Sequence, residues 1–416
     1  MTNFLTHPIL ETIQAFLIIS NVLSYNMNPG VSYILLGMAV RMAFSIGLQT
    51  DSQRFNSTEQ YLRRRVWWAL AWQDSHFCVC YDRPSASTVC GTEIPYRPES
   101  RPGKRSYAES MFQIIQLTQE ILKARMLKPR SNLPWSSIQE YTERITRIVA
   151  DGYPHLRDRA NCRNGKEHLE RLALRIHCTY LTSELLRPAL REGGGRSAAA
   201  EKSPTNYSSD GHYRSPTGKT DFPSEQQLAH FRLECIRNLA GVVDAYVEVH
   251  GVSSHAARSW IGIQRTISAA FLLGVTQETQ QDPQINRLLR QLEACISERA
   301  RMERAFGDPM DSTQPAESPN WARSMAHALK ALSKMNAALA TSAGPGTSMT
   351  PVPGYPLNAQ PLHLPIGDHY WPLKIPSPHS AIVMPATPES TSSSGDWNYT
   401  NLGERAAEFV MPTLWS

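Results

Sequence analysis

Residues 62–87 read LRRRVWWALAWQDSHFCVCYDRPSAS, and the reading of this stretch decides the fold. Val66, Trp67, Leu70, Trp72 and Phe77 recur at helical spacing, so the segment is expected to form a helix with a large apolar payload. Ser57 and Gln60 upstream have the spacing of a capping box, and Arg83 and Pro84 close the helix. Trp67 and Trp68 are adjacent, so they point about 100° apart and are expected to bury against two different neighbours. Arg63, Arg64 and Arg65 fan around the axis, where one can pair with a carboxylate such as Asp51 or Asp74. Arg83 near the C-terminal end complements the helix dipole.

Working outward, residues 37–51 read GMAVRMAFSIGLQTD and belong to a helix expected from about Ser32 to Ile46. It is apolar nearly all round, the mark of a buried element. Gly37, Ala39 and Ala43 suit close helix packing, and Gly47 stands where a C-terminal cap needs glycine. A first helix is expected to open at Thr6, His7 and Pro8 and to stop near Asn28, Pro29 and Gly30. Further helical patterns cover roughly 107–128, 136–151, 166–187, 225–250, 257–276, 283–306 and 318–340. No run alternates in the manner of a strand, so the expected fold is all-α, about ten helices in a single large domain over residues 1–340.

Two segments depart from that pattern. Residues 192–224 mix Gly, Ser and Lys, including Gly193, Gly194 and Gly195, a composition that cannot repay the entropy of ordering, and read as a disordered insertion. From 341 to 416 the chain becomes Pro- and Ser-rich, with twelve prolines, and reads as a disordered tail. The tail carries net −3 against +8 for the body. Its Asp396, Trp397, Tyr399, Glu404, Glu408, Phe409 and Trp415 mix acidic with aromatic residues, as an activation segment would.

The whole chain of 416 residues carries only +5, far from a nucleic-acid-binding balance. Seven scattered cysteines, at 78, 80, 90, 162, 178, 235 and 295, argue for a reducing compartment over a disulfide framework. Glu11 and Gln14 interrupt the first apolar stretch, so no signal peptide is expected; Tyr33–Leu48 carries Arg41 and is too short for a membrane span. A soluble, intracellular protein with no membrane partner is the expectation.

The 37–51 and 62–87 segments together resemble the fungal-specific transcription factor domain, the middle homology region of zinc binuclear cluster factors. In that family an apolar helix ending in Gly-Leu precedes an Arg-rich, Trp-bearing helix and a Gly-Arg-Pro-like end. Here the end is Asp82-Arg83-Pro84, a departure at the glycine. The signature positions are Gly47, Arg64, Arg65, Trp67, Trp68, Asp74, Arg83 and Pro84, read as structural and not as ligand or DNA contacts. LRIHCTYLTSELLRPAL at 174–190 and the stretch from Trp260 to Leu273 also look like the family. The resemblance spans roughly residues 5–305, with 37–87 its specific part.

The resemblance implies a nuclear regulator of transcription, acting on a metabolic or secondary-metabolite pathway. It also implies co-regulators or transcription machinery, a small-molecule inducer and a second copy of the chain as partners. The family's zinc is held by an N-terminal cluster of two Cys-x2-Cys-x6-Cys groups, which this chain does not contain. DNA contact is therefore expected only through such a cluster, with no cofactor, metal or catalytic residue here.

Looser constellations are read as ordinary residues. Cys78, Cys80 and Cys90, and Cys162, His168, His177 and Cys178, are weak candidates for zinc. The stretch Arg97, Arg101, Lys104 and Arg105 reads as a solvated loop, with nuclear import or phosphate contact as its functional alternative. Two rival classes stay open: a helical ligand- or protein-binding co-regulator without DNA binding, and an all-helical enzyme. Isoprenoid-diphosphate chemistry needs clustered carboxylates for magnesium. Asp244 and Glu248 stand without further acidic support, and a solvated helix face is the reading for them.

Overall fold

The computed structural model describes residues 6–81, 83–88, 91–127, 133–192, 223–306 and 320–342. The expected insertion and tail, including 391–416, lie almost wholly outside these. Thirteen α-helices and no strand occur among the described residues: α1 Leu10–Tyr25, α2 Pro29–Ser45, α3 Ser57–Tyr81, α4 Tyr107–Leu127, α5 Trp135–Asp151, α6 Pro154–Arg157, α7 Gly165–Leu186, α8 Pro188–Glu192, α9 Glu225–Val252, α10 Trp260–Val275, α11 Gln277–Gln280, α12 Pro283–Phe306 and α13 Asn320–Ser342. The all-α expectation holds. Ten of the thirteen are the long helices read from periodicity; α6, α8 and α11 are turns of four or five residues.

All described residues fall in one compact unit. α7 and α9 form its most extensive helix pair; α10 and α12 pack on α9, and α4 and α5 on α7. α3 touches α1, α2, α4 and α10, so it joins the first pair of helices to the rest. Two isolated bridges, Thr50 with Gly91 and Arg105 with Gly152, tie the intervening loops together.

Local caps decide several helix starts. Asn56, one residue before the expected cap, accepts from the Glu59 amide at 2.9 Å, while Gln60 reaches back to the Ser52 and Phe55 carbonyls. At α9 a capping box forms between Ser224 and Gln227. Gly47 follows the end of α2 with φ +71°, and the Leu48 amide bonds to the Ala43 carbonyl at 3.0 Å. That left-handed turn is the physical requirement for glycine at the position.

The first two helices depart from expectation. Pro29 opens α2 instead of closing α1, because a residue without an N–H suits a first helical turn. α1 starts at Leu10, with Ile9 at its N-cap, two residues after Pro8. α2 is not buried all round: Val31, Ile34 and Met38 face solvent, Ile34 at 65% exposure, as do Ile18, Ile19 and Val22 on α1. A Cβ on Gly37 would meet nothing within 4 Å, so close packing in α2 is left to Ala39 and Ala43, both fully buried. Ser20 and Ser32 hydrogen-bond across the α1–α2 seam at 2.6 to 2.9 Å.

Candidate functional site

Two neighbouring regions of α3 carry the chemistry. The first is built from the signature residues. Trp67 and Trp68 are almost completely enclosed. Trp67 meets Phe44 of α2 with ring centroids 5.6 Å apart, and Trp68 meets Phe112 of α4 at 6.1 Å. The indole N–H of Trp68 donates to the Glu93 carbonyl at 2.9 Å, which satisfies its polar atom while the ring fills the core.

The three arginines diverge. Arg64 makes a two-pronged pair with Asp51 at 2.7 and 2.9 Å. Arg63 donates to the Ile46 carbonyl at 2.6 Å and lies over the Phe55 ring, and Arg65 reaches the Tyr61 hydroxyl at 3.5 Å. The Arg63 and Arg64 guanidiniums therefore serve the fold's own loop. The adjoining depression holds only about 10 Å³, room for about one water. Arg64→Ala is expected to destabilise the protein by about 1 kcal/mol in low salt and by less in high salt, because the pair is two-pronged but partly exposed. Urea unfolding at two ionic strengths checks this, and a loss of the same size at both would contradict it.

Among the described residues Asp74 pairs with no arginine. It is buried, and its Oδ2 accepts from the Ser85 hydroxyl at 2.7 Å, the Ser87 amide at 3.0 Å and the Ser87 hydroxyl at 2.8 Å. The Cys78 thiol lies 3.7 Å from Oδ1. Gln119 of α4 donates to the Ser87 hydroxyl at 3.0 Å, so one carboxylate fastens the single 3-10 turn Ala86–Thr88 between α3 and α4. The Arg83 amide bonds to the Cys78 carbonyl at 3.0 Å, and the Pro84 carbonyl accepts from the Cys78 thiol at 3.4 Å, which ends the helix.

The second region is a polar cluster where α3, α7 and α10 meet. Arg265 of α10 is 4% exposed, and among the described residues it has no carboxylate within ion-pair distance. Its guanidinium donates to Nδ1 of His76 at 3.0 Å and to Nδ1 of His177, and lies 4.8 Å from the centroid of the Tyr180 ring. Since arginine has no acceptor, both imidazoles offer a lone pair at Nδ1. Their rings stack 4.3 Å apart. Burial, aided by the Arg265 charge, holds both histidines well below the ordinary imidazole range, and burial likewise raises the Tyr180 hydroxyl. Glu184, whose field reaches Tyr180 and Cys80, is held by Arg187 at 3.1 Å.

The weak zinc candidates separate. Cys78 serves the Asp74 network, Cys80 lies beside Arg265, and Cys90 is outside the described residues. Cys162 donates to the His155 carbonyl at 3.4 Å, His177 sits in the arginine cluster, and burial pushes the Cys178 thiol up to about 12. Among the described residues no three His, Cys, Asp or Glu side chains converge as a metal site.

Glu248 is not on a solvated face: it pairs with Arg171 of α7 and with Arg159, each at 3.1 Å, while Asp244 pairs with Arg175 at 2.9 Å. The basic loop is folded around Glu109, which accepts from the Arg97 and Ser106 amides at 2.8 Å, and Arg105 lies 3.9 Å from the Tyr96 ring centroid. No helix among the described residues is long and apolar enough to cross a membrane.

Neither Arg265 nor His76 stands out in the sequence. The available signal was a single charged residue inside WIGIQRTISAAFLLGV, residues 260–275, since a lone charge on an apolar helix must find partners or be expelled.

Comparison with known proteins bears on the first region. The model of the "Fungal specific transcription factor domain" matches residues 3–94. A curated relative, the "Fusaridione A cluster transcription factor fsdR" of Fusarium heterosporum, is 36% identical over 72 residues. That match covers 17% of this chain and 14% of the relative. No solved structure matches. Residues 3–94, which hold the two-tryptophan helix, its Arg64–Asp51 clamp and the Asp74 network, are therefore the part of this chain that is similar to the fungal specific transcription factor domain, and they contain the 37–87 signature.

Proposed function

We infer that the helical body is a regulatory module of a nuclear fungal transcription factor, one that responds to an inducer and controls the exposure of an activating segment. The observation that carries this reading is the family match over residues 3–94. It is supported by the use of Arg63 and Arg64 within the fold, which leaves their guanidiniums poorly placed for phosphate. The relative's name speaks of a gene cluster for one metabolite, which favours a secondary-metabolite pathway here too.

DNA recognition, on this reading, depends on a separate zinc cluster, because the seven cysteines do not have the required spacing. The module catalyses no reaction, and its partners are co-regulators or transcription machinery. The acidic-aromatic stretch 391–416 is the activating segment. An inducer shifts the balance only by preferring one state of the body.

Fusing residues 391–416 to a neutral DNA-binding domain is expected to activate a reporter, and adding residues 1–342 to the fusion to lower that activity several-fold. An inert 391–416 would remove the activating role, and equal activity with and without the body would remove the control. Tight DNA binding by the 416-residue chain alone would overturn the division of labour.

A further inference from the structure

We propose that the double turn Arg97–Lys104 is a rigid contact for the DNA phosphate backbone, adding weak, sequence-independent hold while a zinc cluster reads the bases. This rests on the reading of the protein as a transcription factor, but the contact can be tested apart from it.

The stretch consists of two consecutive four-residue turns, Arg97-Pro98-Glu99-Ser100 and Arg101-Pro102-Gly103-Lys104. In the first, the Ser100 amide donates to the Arg97 carbonyl at 3.0 Å; in the second, the Lys104 amide donates to the Arg101 carbonyl at 2.8 Å. Proline fixes the second position of each turn, and Gly103 at φ +81° supplies the left-handed third position of the second. Both ends are tied down. The Arg97 amide is held by Glu109, the Arg105 amide donates to the Asp151 carbonyl at 3.1 Å, and the Tyr153 amide donates to the Arg105 carbonyl at 2.9 Å. Arg105 lies over Tyr96 and donates to the Ser100 hydroxyl at 3.2 Å, which braces the loop from within. A basic run folded in this way is not offered as an extended strand, the form in which receptor grooves take up many peptides, so its geometry favours phosphate contact over nuclear import.

Residues 96–99, 101, 102 and 104 are exposed, so the turns present Arg97, Arg101 and Lys104 to solvent. Arg147 of α5, one helical turn before Asp151, and Arg157 of α6 are exposed in the segments to which the loop is tied. Among the described residues none of these five cations takes part in an ion pair. Two exposed carboxylates share these stretches, Glu99 and Asp158, and Asp158 already accepts from the Ala160 amide at 3.0 Å. A backbone set in advance spares the cost of ordering the loop when an anion arrives. The two ends of one turn lie within about 7 Å of each other, close enough for Arg101 and Lys104 to meet neighbouring phosphates of one strand. A protruding cationic surface suits a charged backbone laid across it over a small molecule that must be enclosed.

Fluorescence anisotropy of a short labelled duplex titrated with the full chain tests the proposal. Binding is expected to be weak, with Kd on the order of 10⁻⁶ to 10⁻⁴ M at low salt, and equal for two unrelated sequences. The logarithm of the binding constant should fall against that of salt with a slope of about −3 to −5, as three to five phosphates require. Arg97→Gln, Arg101→Gln and Lys104→Gln together should weaken binding at least about tenfold and reduce the slope by about 3. All three are exposed, so the melting temperature should be kept. The control with the same loss of charge is Arg287→Gln, Arg290→Gln and Lys334→Gln, exposed on α12 and α13. It should leave affinity and slope as in the parent.

The assignment is overturned if the parent does not bind at low salt, or if one sequence is clearly preferred. It is also overturned if the two triple variants lose affinity alike, which would make the effect one of overall charge. Displacement of the duplex by polyglutamate as readily as by unlabelled duplex would make the partner an acidic peptide and would overturn it too. The reporter fusions can fail while duplex binding persists, which would leave a DNA contact without the transcriptional switch.

Discussion

Trp67→Ala is expected to destabilise the protein by about 3–5 kcal/mol, the range for removing a large aromatic from a core. The indole is 0% exposed and lies against Phe44, at the place where α3 receives α2. Its removal takes away both the transfer energy of the ring and the contacts of the residues that lined it. Collapse of the cavity would require α2 to slide, yet α2 is also fastened to α1 by the Ser20–Ser32 bonds, so relaxation recovers little. Folded domains have only about 5–15 kcal/mol to lose, so the variant should melt on the order of 10 °C lower. Trp67→Phe, which leaves a smaller void, should lose less than half as much. Ile34→Ala on the exposed side of α2 is the control, expected within about 0.5 kcal/mol of the parent. A Trp67→Ala variant that melts within two degrees or so of that control would show that the helix is not central to the packing.

Asp74→Ala is the second large effect, about 2–4 kcal/mol, and it arises from a different cause. The carboxylate is 5% exposed and is held by hydrogen bonds, with three donors on one oxygen. Deleting it strands the buried Ser87 amide and leaves the Ser85 and Ser87 hydroxyls one acceptor fewer, with their mutual bond at 3.0 Å remaining. The loss is dominated by those orphaned donors, not by the absent charge. Asp74→Asn keeps one acceptor oxygen and should lose roughly half as much. Because Ser87 is shared with Gln119, Asp74→Ala and Ser87→Ala should be strongly non-additive, with a coupling of about 1–2 kcal/mol in a double-mutant cycle. Urea midpoints of the four proteins measure it; additive losses, or an Asp74→Ala change below about 0.5 kcal/mol, would refute the network.

These two positions differ in how far they could be read in advance. Trp67 lies in a local pattern, so its burial was legible from helical spacing and residue size. Asp74 was named as a partner for an arginine, but only the path of the chain after Pro84 brings Ser85 and Ser87 back to it. Asp51 was a candidate for Arg64 because both flank the turn into α3, and the structure pairs them. The cap of α3 moved from Ser57 to Asn56 because either residue can cap, and the loop's trajectory selects between them.

The amino-acid order by itself determined that the protein is helical, roughly where each long helix runs, and that residue 47 must be glycine-like, because each follows from backbone preference and period over a few neighbouring residues. It also held the signature of residues 37–87. Only the tertiary structure decided which face of α1 and α2 stays in water, and that Glu248 is spent on α7. It alone placed Arg265 between two histidines 88 and 189 residues away in the chain. Periodicity shows that a helix has an apolar side without showing what will cover it, and contacts between distant residues leave no local pattern to read.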